Sequence, residues 1–529
     1  MKKALCIGLT VIMCILLASC GNGGKKTSSA KKSTGEPVLG NEEISVLYYS
    51  GDSFNPYTAK TKYNREVSRL IYDPLIKCDN EFNPVYCLAS SASISGNVCK
   101  VTLKTAYFTD KTQVTAEDVI YSYNLARKSN TIYGSALYEV ANITAAGNTV
   151  TFDLKNVDPY FLNLLDFPII KANSDNSKTS DGVEIAPIGC GRYYVSADAG
   201  VLLRYNSYHG KIGEVSKINL INAPDEVSAS HYVEVGAADM YYADESAGDI
   251  ARMSGKRADV NVNNFVYIGI NGNYGPLTSS VVRYAISAAI DREQICHSAY
   301  YDNATPATGF FNPVIKETSA VQSLKTTADT EITVENLRQI GYNKSVNGYY
   351  CNNGGKHLTF NLLVNSDNPS RVAAAKLIAA QLKTAGIEIN VQQVEYARYL
   401  AALESGGFQL YLGEIRVLGN MDLSNLVVPG GSAAYGVGRL VNTVEANAGD
   451  TADGEAVVNT GANVCADMVN KYKKGECALS DLAGAFLTEM PQIPVCYRNG
   501  MLFYTSRIKS KASPSISDIF FSFENLEFK

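Results

Sequence analysis

Residues 358–415, LTFNLLVNSDNPSRVAAAKLIAAQLKTAGIEINVQQVEYARYLAALESGGFQLYLGEI, decide the fold class of this chain. Short apolar segments that suit β-strands alternate in this stretch with segments of helical periodicity, and glycines and a proline mark the changes. The alternation predicts an α/β unit with right-handed crossovers between neighbouring strands. The predicted order is a strand at 358–364, a helix at 369–385, a strand at 387–391, a helix at 396–403 and a strand at 408–415.

Polar side chains follow the first and the last of these strands. In open α/β sheets, ligands bind beyond the carboxyl ends of the strands, so Asn365 and Ser366 after the first strand are candidate ligand-binding residues. At the end of the last strand, Arg416 could bind a carboxylate in bidentate fashion and Glu414 could accept an ammonium group. The alternative is an ion pair between Glu414 and Arg416, because residues two apart on a strand share one face.

Shorter signals predict further elements along the chain. Thr115, three residues before Asp118, has the pattern of a helix N-cap with an acid at the third position. Gly147-Asn148 lies between two alternating segments and predicts a hairpin. These signals place strands at 44–49 and 98–103, helices at 64–73 and 115–126, and the hairpin at 142–154.

Size and composition predict a soluble body of more than one domain. The chain has 529 residues, and a body that begins near Glu42 exceeds the ~250–300 residues at which single cores stop growing. Its 46% hydrophobic and 19% charged residues are typical of globular proteins. The net charge of −5 provides no global basic field, which argues against a nucleic-acid partner.

The N-terminus predicts export and a lipid anchor. The apolar run at 4–18 follows two lysines and is shorter than the ~20 residues of a membrane span, so it indicates a secretory signal. Leu-Ala-Ser-Cys at 17–20 resembles a bacterial lipobox, which implies a signal peptide at 1–19 and acylation of Cys20. The alternative is an ordinary signal with a chance cysteine. Residues 20–41 are polar and rich in glycine, serine and lysine, which predicts a flexible linker.

No pattern in the sequence predicts an enzyme, a metal site or a cofactor. Nine cysteines follow Cys20, an odd number without a Cys-x-x-Cys pair, so buried thiols are expected. The four histidines lack metal-ligand spacing, and neither a Gly-x-Ser-x-Gly elbow nor a phosphate-binding loop occurs. Ser506 to Lys509 matches Ser-x-x-Lys, but no Lys-Thr-Gly accompanies it.

The body resembles the family 5 extracellular solute-binding proteins, the peptide- and nickel-binding receptors of ABC importers. The likeness spans nearly all of Glu42 to Lys529, and the order and spacing of its motifs are more specific than any single motif. The motifs are Asn55-Pro56, Leu70-Ile71-Tyr72-Asp73-Pro74-Leu75, Phe108-Thr109-Asp110 with Thr115 to Val119, Gly189-Cys190-Gly191-Arg192-Tyr193, and Asn271 through Asp291-Arg292.

The resemblance implies an α/β, two-lobed periplasmic-binding-protein type II fold with an extra small domain inserted in the first lobe. A receptor of this kind closes its two lobes on the ligand. The implied boundaries are lobe I at 42–77, 183–265 and 494–529, the inserted small domain at 78–182, and lobe II at 266–493.

The resemblance also adds candidate ligand-binding residues. Tyr48, Tyr49 and Ser50, at the end of the first strand, would face the cleft from the lobe opposite Arg416, and the alternative is that they are core residues. Peptide-binding members often carry an aspartate, after the strand that ends at Arg416, which pairs with the ligand's amino group. Asp422 is the nearest acid downstream of that strand.

The implied function is a substrate-binding subunit of an ABC importer, lipid-anchored at the extracytoplasmic face of the bacterial membrane and monomeric. Its partners would be a small-molecule or peptide ligand and the permease and ATPase subunits. Oligopeptides or dipeptides are the leading ligands, and a nickel chelate, a sugar or another small solute is the alternative. A surface enzyme or a signalling receptor that reuses the fold is the alternative from a different class.

Overall fold

The computed structural model describes residues 40–178, 180, 184–244, 248, 255–437 and 463–529. The predicted signal peptide, Cys20 and all of the predicted linker before Gly40 lie outside the described residues. The description below concerns Gly40–Lys529.

Strands account for much of the described chain and include both short edge strands and two long ones. They are β1 (Glu42–Tyr48), β2 (Ile76–Cys78), β3 (Pro84–Tyr86), β4 (Ala89–Ser95), β5 (Val98–Leu103), β6 (Val140–Ala146), β7 (Thr149–Leu154), β8 (Tyr193–Val195), β9 (Val201–Arg204), β10 (Val215–Asn222), β11 (Met240–Ala243), β12 (Lys256–Ile270), β13 (Ala304–Pro306), β14 (Lys344–Val346), β15 (Tyr349–Cys351), β16 (Thr359–Asn365), β17 (Glu388–Val394), β18 (Leu410–Arg416) and β19 (Gln492–Tyr504).

The helices pack on both sides of the strands. They are α1 (Lys62–Ile71), α2 (Ala116–Lys128), α3 (Ile132–Ala136), α4 (Glu226–Glu234), α5 (Ser280–Ala288), α6 (Arg292–Tyr300), α7 (Thr330–Gln339), α8 (Pro369–Thr384), α9 (Tyr396–Ser405), α10 (Ser424–Val427), α11 (Val464–Lys473) and α12 (Leu479–Glu489). None of the described helices is long and apolar enough to span a membrane.

One sheet runs through both lobes of the molecule. Within the described residues its order is β17-β16-β18-β12-β19-β11-β1-β10-β9-β8, and β13 also pairs with β19. The N-terminal lobe contains β1 and β8–β11, and the C-terminal lobe contains β13 and β16–β18. The long strands β12 and β19 run through both lobes. β19 pairs with β11 of the N-terminal lobe at 501–504 and with β13 of the C-terminal lobe at 496–498, and β12 pairs with β19 in both lobes and with β18 from Asn264 to Ile270.

The crossing between the lobes is marked by a break in strand register. β12 and β19 pair from Lys256 to Val260 and again from Asn264, with a shift of register between these two segments. Asn263 lies in this break with a φ of +55°, a left-handed conformation that asparagine tolerates better than most residues. The domain boundaries given above stay predictions.

The α/β unit predicted from residues 358–415 is present. β16, α8, β17, α9 and β18 follow one another, and β16 pairs in parallel with both β17 and β18. The Asn368 side chain caps α8 by accepting a hydrogen bond from the backbone N–H of Arg371, and Gly386 takes a φ of +85° after the helix. The ends of α8 thus coincide with the signals that the local sequence carries.

A separate four-stranded sheet, in the order β4-β5-β7-β6, packs against α2. The predicted capping pattern is confirmed, since the Thr115 side chain accepts from the backbone of Asp118 and the Asp118 carboxylate accepts from the backbone of Thr115. β5 covers the predicted 98–103, and β6 and β7 form the predicted hairpin. The nine described cysteines are free thiols, as expected.

Candidate functional site

A cavity of about 200 Å³ lies between the two lobes. The C-terminal lobe contributes Arg416 at the end of β18, and the N-terminal lobe contributes the remaining charged and aromatic walls. A smaller cavity of about 60 Å³ adjoins it and shares Arg69, Tyr133 and Arg416 in its lining. The elements that line the larger cavity are α1, α3, the end of β11, and residues 515–519.

Contacts between the lobes flank this cavity. The Asn163 amide donates to the backbone carbonyl of Gly419 at 3.0 Å, and the Ser370 hydroxyl donates to the carbonyl of Gly248 at 3.0 Å. The Arg498 guanidinium donates to the carbonyl of Asp244 at 2.9 Å. The two lobes are therefore in direct contact with each other.

Helix α1 presents one polar face to the cavity because of its residue spacing. Val67, Leu70 and Ile71 are buried in the N-terminal core, whereas Glu66 and Arg69 line the cavity. Residues three and four apart share a helix face, so the apolar residues of α1 lie on one face and the charged residues on another. Upstream of α1, the Asp52 carboxylate accepts hydrogen bonds from the backbone and hydroxyl of Thr61, the N-cap of the helix, and so fixes where α1 begins.

Glu414 is the centre of a buried ion-pair network beside the cavity. One carboxylate oxygen accepts from Arg498 Nε at 2.9 Å and from the Asn264 amide at 2.9 Å. The other accepts from Arg371 at 3.0 and 3.1 Å. The Glu414 and Arg498 side chains are each 4% exposed. Both oxygens of Glu414 are therefore engaged by the protein itself.

The alternative of a Glu414–Arg416 ion pair is wrong. The side chain of Glu414 pairs with α8 and β19, whereas Arg416, the next residue but one, is exposed and lines both cavities. Arg416 forms no hydrogen bond or ion pair through its side chain with any residue that the structure describes. Its backbone is fixed, because Arg416 is opposite Asn264 in the β12–β18 ladder.

Glu66 faces the same cavity without a partner. Its half-buried carboxylate forms no hydrogen bond or ion pair within the described part of the chain. Burial raises the pKa of Glu66 from 4.5 to about 7, and Arg69 and Arg416 oppose the rise while Asp518 adds to it. The influence of Arg416 on this pKa places the two unpaired groups within electrostatic reach of each other.

The other charged side chains that line the cavity of about 200 Å³ have partners in the protein. Lys62 pairs with Glu226 at 2.8 Å, and Arg65 donates to backbone carbonyls. Arg69 donates to the carbonyl of Asp166 at 2.7 Å and lies 3.5 Å from its carboxylate. The Asp244 carboxylate lies 3.7 Å from Arg498. Among the described residues, Glu66 and Arg416 are thus the two charged side chains of this lining without such a partner.

Asn365, Ser366 and Asp422 have local structural contacts and do not line this cavity. The Asn365 side chain accepts from the backbone of Asp367, and the Ser366 hydroxyl donates to the Asp367 carboxylate, in the loop that leads into α8. Asp422 accepts from Ser424 and pairs with Lys473 at 3.1 Å. Their assignment as ligand-binding residues stays a prediction.

Tyr48 and Ser50 line a different cavity, of about 870 Å³, in the N-terminal lobe. Its walls also include residues 184–189 and the β8–β9 turn. The backbone of Tyr49 donates to the Asn64 side chain, which anchors this loop to α1. The structure therefore places Tyr48 and Ser50 together, apart from Arg416.

Three buried side chains, Asp73, Cys87 and His209, have potential metal-ligand atoms within 4.8 Å of one another. His209 Nε2 and Asp73 are hydrogen-bonded at 2.8 Å, and Lys77 lies 3.6 Å from the same carboxylate. Burial, with the nearby Asp73, raises the pKa of Cys87 to about 12, which keeps it a thiol. A protonated thiol and a lysine beside the carboxylate do not suit a cation, so this cluster fits a structural ion-pair network.

Sequence reasoning did not find the cavity residues of the N-terminal lobe. Glu66, Arg69, Tyr133 and Tyr242 come from three elements that the chain brings together only in the folded state. The one available signal was the helix predicted at 64–73, whose apolar spacing places Glu66 and Arg69 on the polar face.

These features define a two-lobed protein with a charged cavity between its lobes. Residues 83–427 match the model of the family described as bacterial extracellular solute-binding proteins, family 5 Middle. This chain belongs to that family, as its motifs predicted. It is accordingly a solute-binding protein and not an enzyme.

The chain is similar to proteins of known ligand class. It is 23% identical over 424 residues to the oligopeptide-binding protein AppA of Bacillus subtilis (strain 168), which covers 74% of this chain and 76% of AppA. It is 24% identical over 383 residues to the glutathione-binding protein GsiB of Shigella flexneri serotype 5b (strain 8401), covering 68% and 72% of the two chains.

A solved structure, the nickel ABC transporter protein from Bacillus halodurans, superposes with a TM-score of 0.70 at 18% identity and covers 90% of this chain and 98% of that one. At this identity the likeness shows the fold alone. It confirms the predicted α/β, two-lobed periplasmic-binding-protein architecture.

Proposed function

We propose that this chain is the lipid-anchored, extracytoplasmic substrate-binding subunit of an ABC importer. It captures an oligopeptide or dipeptide between its lobes and delivers it to permease and ATPase subunits. The family assignment and the similarity to peptide-binding relatives support this function. The observation that carries the proposal is the guanidinium of Arg416, which lines the interlobe cavity and has no partner among the described residues.

Arg416 supports anion binding through its fixed charge. A guanidinium stays protonated at any physiological pH, so removing it from water requires an anionic or hydrogen-bonding partner. No described residue supplies one, whereas the carboxylate of a peptide would, with two parallel hydrogen bonds. Closure of the lobes on such a ligand then matches a charge that closure alone would leave unpaired.

The lipid anchor is proposed from the sequence. The short apolar run and the Leu-Ala-Ser-Cys pattern favour cleavage before Cys20 and acylation of its thiol. A tether at this position, followed by the polar residues up to 41, would hold the body near a membrane-embedded permease. We propose a monomer, because a two-lobed receptor contains its whole site within one chain.

A nickel chelate is the second candidate ligand, because a nickel transporter protein has the same fold. A nickel chelate with carboxylate groups would also satisfy Arg416. A sugar would leave the guanidinium without an anionic partner, so the unpaired charge favours the peptide or the chelate over an uncharged solute.

The test is a thermal-shift screen of the purified protein with dipeptides, longer oligopeptides, nickel chelates and sugars, followed by calorimetry of the hits. A ligand at ~100 times its dissociation constant should stabilise the protein by ~2.7 kcal/mol. Arg416→Gln should weaken binding of the hit by about 2–3 kcal/mol while apo stability stays unchanged.

Arg398→Gln is the matched control, because Arg398 is an exposed residue of α9 outside the cavity. A strong loss of apo stability in Arg416→Gln with unchanged affinity would remove Arg416 from the binding site. Products that accumulate from the bound compound would show that the chain transforms its ligand, contrary to the proposal.

A further inference from the structure

We infer that Glu66 of α1 accepts a cationic group of the ligand, and that Glu66 and Arg416 together select a short zwitterionic ligand such as a dipeptide. This inference rests on the proposed function and deepens it by naming the ligand class. It replaces Glu414, the acid that sequence reasoning suggested, with an acid from the opposite lobe.

The first argument is the contrast between paired and unpaired charges in the cavity wall. Lys62, Arg65, Arg69 and Asp244 have partners in the protein, and Glu66 and Arg416 have none among the described residues. The two unpaired side chains have opposite charge. A ligand with one cationic and one anionic group would match both, whereas a ligand of single charge would match only one of them.

The second argument is the position of the two groups. Glu66 lies on a helix of the N-terminal lobe and Arg416 ends a strand of the C-terminal lobe, and both line the same cavity. They therefore reach a ligand in this cavity from different lobes. A bound zwitterion would therefore connect the lobes through one ionic contact at each end.

The third argument is size. The cavity has about 200 Å³, below the ~300–1,000 Å³ of sites that take drug-sized ligands. A ligand whose two charges are separated by one or two residues suits this space. Tyr133, Tyr242 and Ile132 supply apolar and aromatic surface in the same lining, which suits a peptide side chain between the two charged ends.

Two other acids near the cleft are unsuitable for the ammonium group. Asp166 is bound by Arg69 through both its backbone carbonyl and its carboxylate. Asp244 lies beside Arg498, which also binds its backbone carbonyl. A cation at either position would face a guanidinium at close range. Glu66 is within electrostatic reach of Arg69 and Arg416, but among the described residues neither guanidinium is hydrogen-bonded to its carboxylate.

The experiment compares three forms of one probe by calorimetry: the dipeptide Ala-Phe, its N-acetyl form and its C-terminal amide. Wild-type protein should bind the free dipeptide and should bind each blocked form about 10- to 100-fold more weakly. Glu66→Gln should lower affinity for the free dipeptide by a similar factor, with little further loss for the N-acetyl form. Arg416→Gln should likewise lower affinity for the free dipeptide, with little further loss for the C-terminal amide.

Controls separate binding from folding. Glu117→Gln, at an exposed position of α2, should bind all three probes as wild type does. The apo melting temperature of Glu66→Gln should equal or exceed that of wild type, because the substitution removes a half-buried charge. Equal affinity of wild type for the free and N-acetyl dipeptides, or an unchanged affinity of Glu66→Gln, would overturn the assignment.

A hexapeptide and a nickel–histidine chelate distinguish this inference from the proposed function. If either binds while Ala-Phe does not, the short-zwitterion inference fails and the importer function stands. If none of the probes binds wild-type protein, neither the inference nor a peptide or nickel importer holds.

Discussion

The substitution Glu414→Gln tests whether the acid at the end of β18 stabilises the protein or binds the ligand. In the structure, this carboxylate joins Arg371 of α8 and Arg498 of β19, with Glu414 and Arg498 each 4% exposed and Arg371 15% exposed. Glutamine preserves the shape and one acceptor oxygen. It removes the negative charge and turns an N–H₂ group toward one of the two guanidiniums.

The expected loss of unfolding free energy follows from the burial of the ion pairs that Glu414 forms. Removing one partner of a buried ion pair costs about 3–5 kcal/mol, because it leaves the other charge uncompensated. The carbonyl that glutamine retains still accepts from one arginine, so we expect the lower limit, about 3 kcal/mol. The measurement is urea denaturation of the apo protein, monitored by far-UV circular dichroism.

Glu404→Gln is the control, since Glu404 is exposed on α9, and it should change the free energy of unfolding by less than about 0.5 kcal/mol. A Glu414→Gln protein as stable as this control, with ligand affinity reduced tenfold or more, would refute the structural role. That result would instead return Glu414 to the ligand-binding role that the sequence suggested.

Three further predictions concern other parts of the chain. Cys20→Ala should prevent lipidation and release the protein from membranes, and fractionation in which mutant and wild type partition alike would contradict the lipoprotein assignment. Glu66 has a pKa raised by burial from 4.5 to about 7, so its contribution to apo stability is complete below pH 4.5 and is lost as the pH rises through about 7. At 1.36 kcal/mol per pH unit, wild type should lose up to about 3 kcal/mol relative to Glu66→Gln over this range, and parallel stability curves would disprove this. Asn263→Ala should lower the free energy of unfolding by about 2 kcal/mol, because it removes hydrogen bonds to Val417 and Asn312 and places alanine at a positive φ. A decrease of less than about 0.5 kcal/mol would show that the register break tolerates other residues.

The parts of the fold that sequence predicts well are those that local patterns determine. Within 358–415 each strand and helix is specified by its own periodicity, and short crossovers leave few possible arrangements. The capping pair Thr115 and Asp118 is equally local. Such features form from neighbouring residues and need no knowledge of the rest of the chain.

The partners of Glu414 could not be predicted in this way. Arg371 is 43 residues away and Arg498 is 84 residues away in sequence. Arg498 comes close because β12 pairs with both β18 and β19, and Arg371 comes close because α8 follows β16, which pairs with β18. Two residues on one strand looked like natural partners, but the actual partners depend on sheet order, which is a property of the whole chain.

The position of Tyr48 shows a second limit of sequence reasoning. The end of β1 was expected to face the cleft from the lobe opposite Arg416, but the sheet extends beyond β1 through β10, β9 and β8. The end of β8, the turn after it and residues 184–189 line a separate cavity that includes Tyr48 and Ser50. Strand ends alone therefore do not specify which of several cavities a residue lines.

The unpaired charges of the cleft also explain how binding and closure can be coupled. In an open cleft, water solvates both Glu66 and Arg416. Closure without ligand removes water from both groups, and the raised pKa of Glu66 shows that desolvation of its carboxylate is already unfavourable. A zwitterion offsets the desolvation of both groups at once. The same two side chains would then select the ligand and oppose closure of the empty protein. The closed form would therefore be populated mainly when ligand is bound.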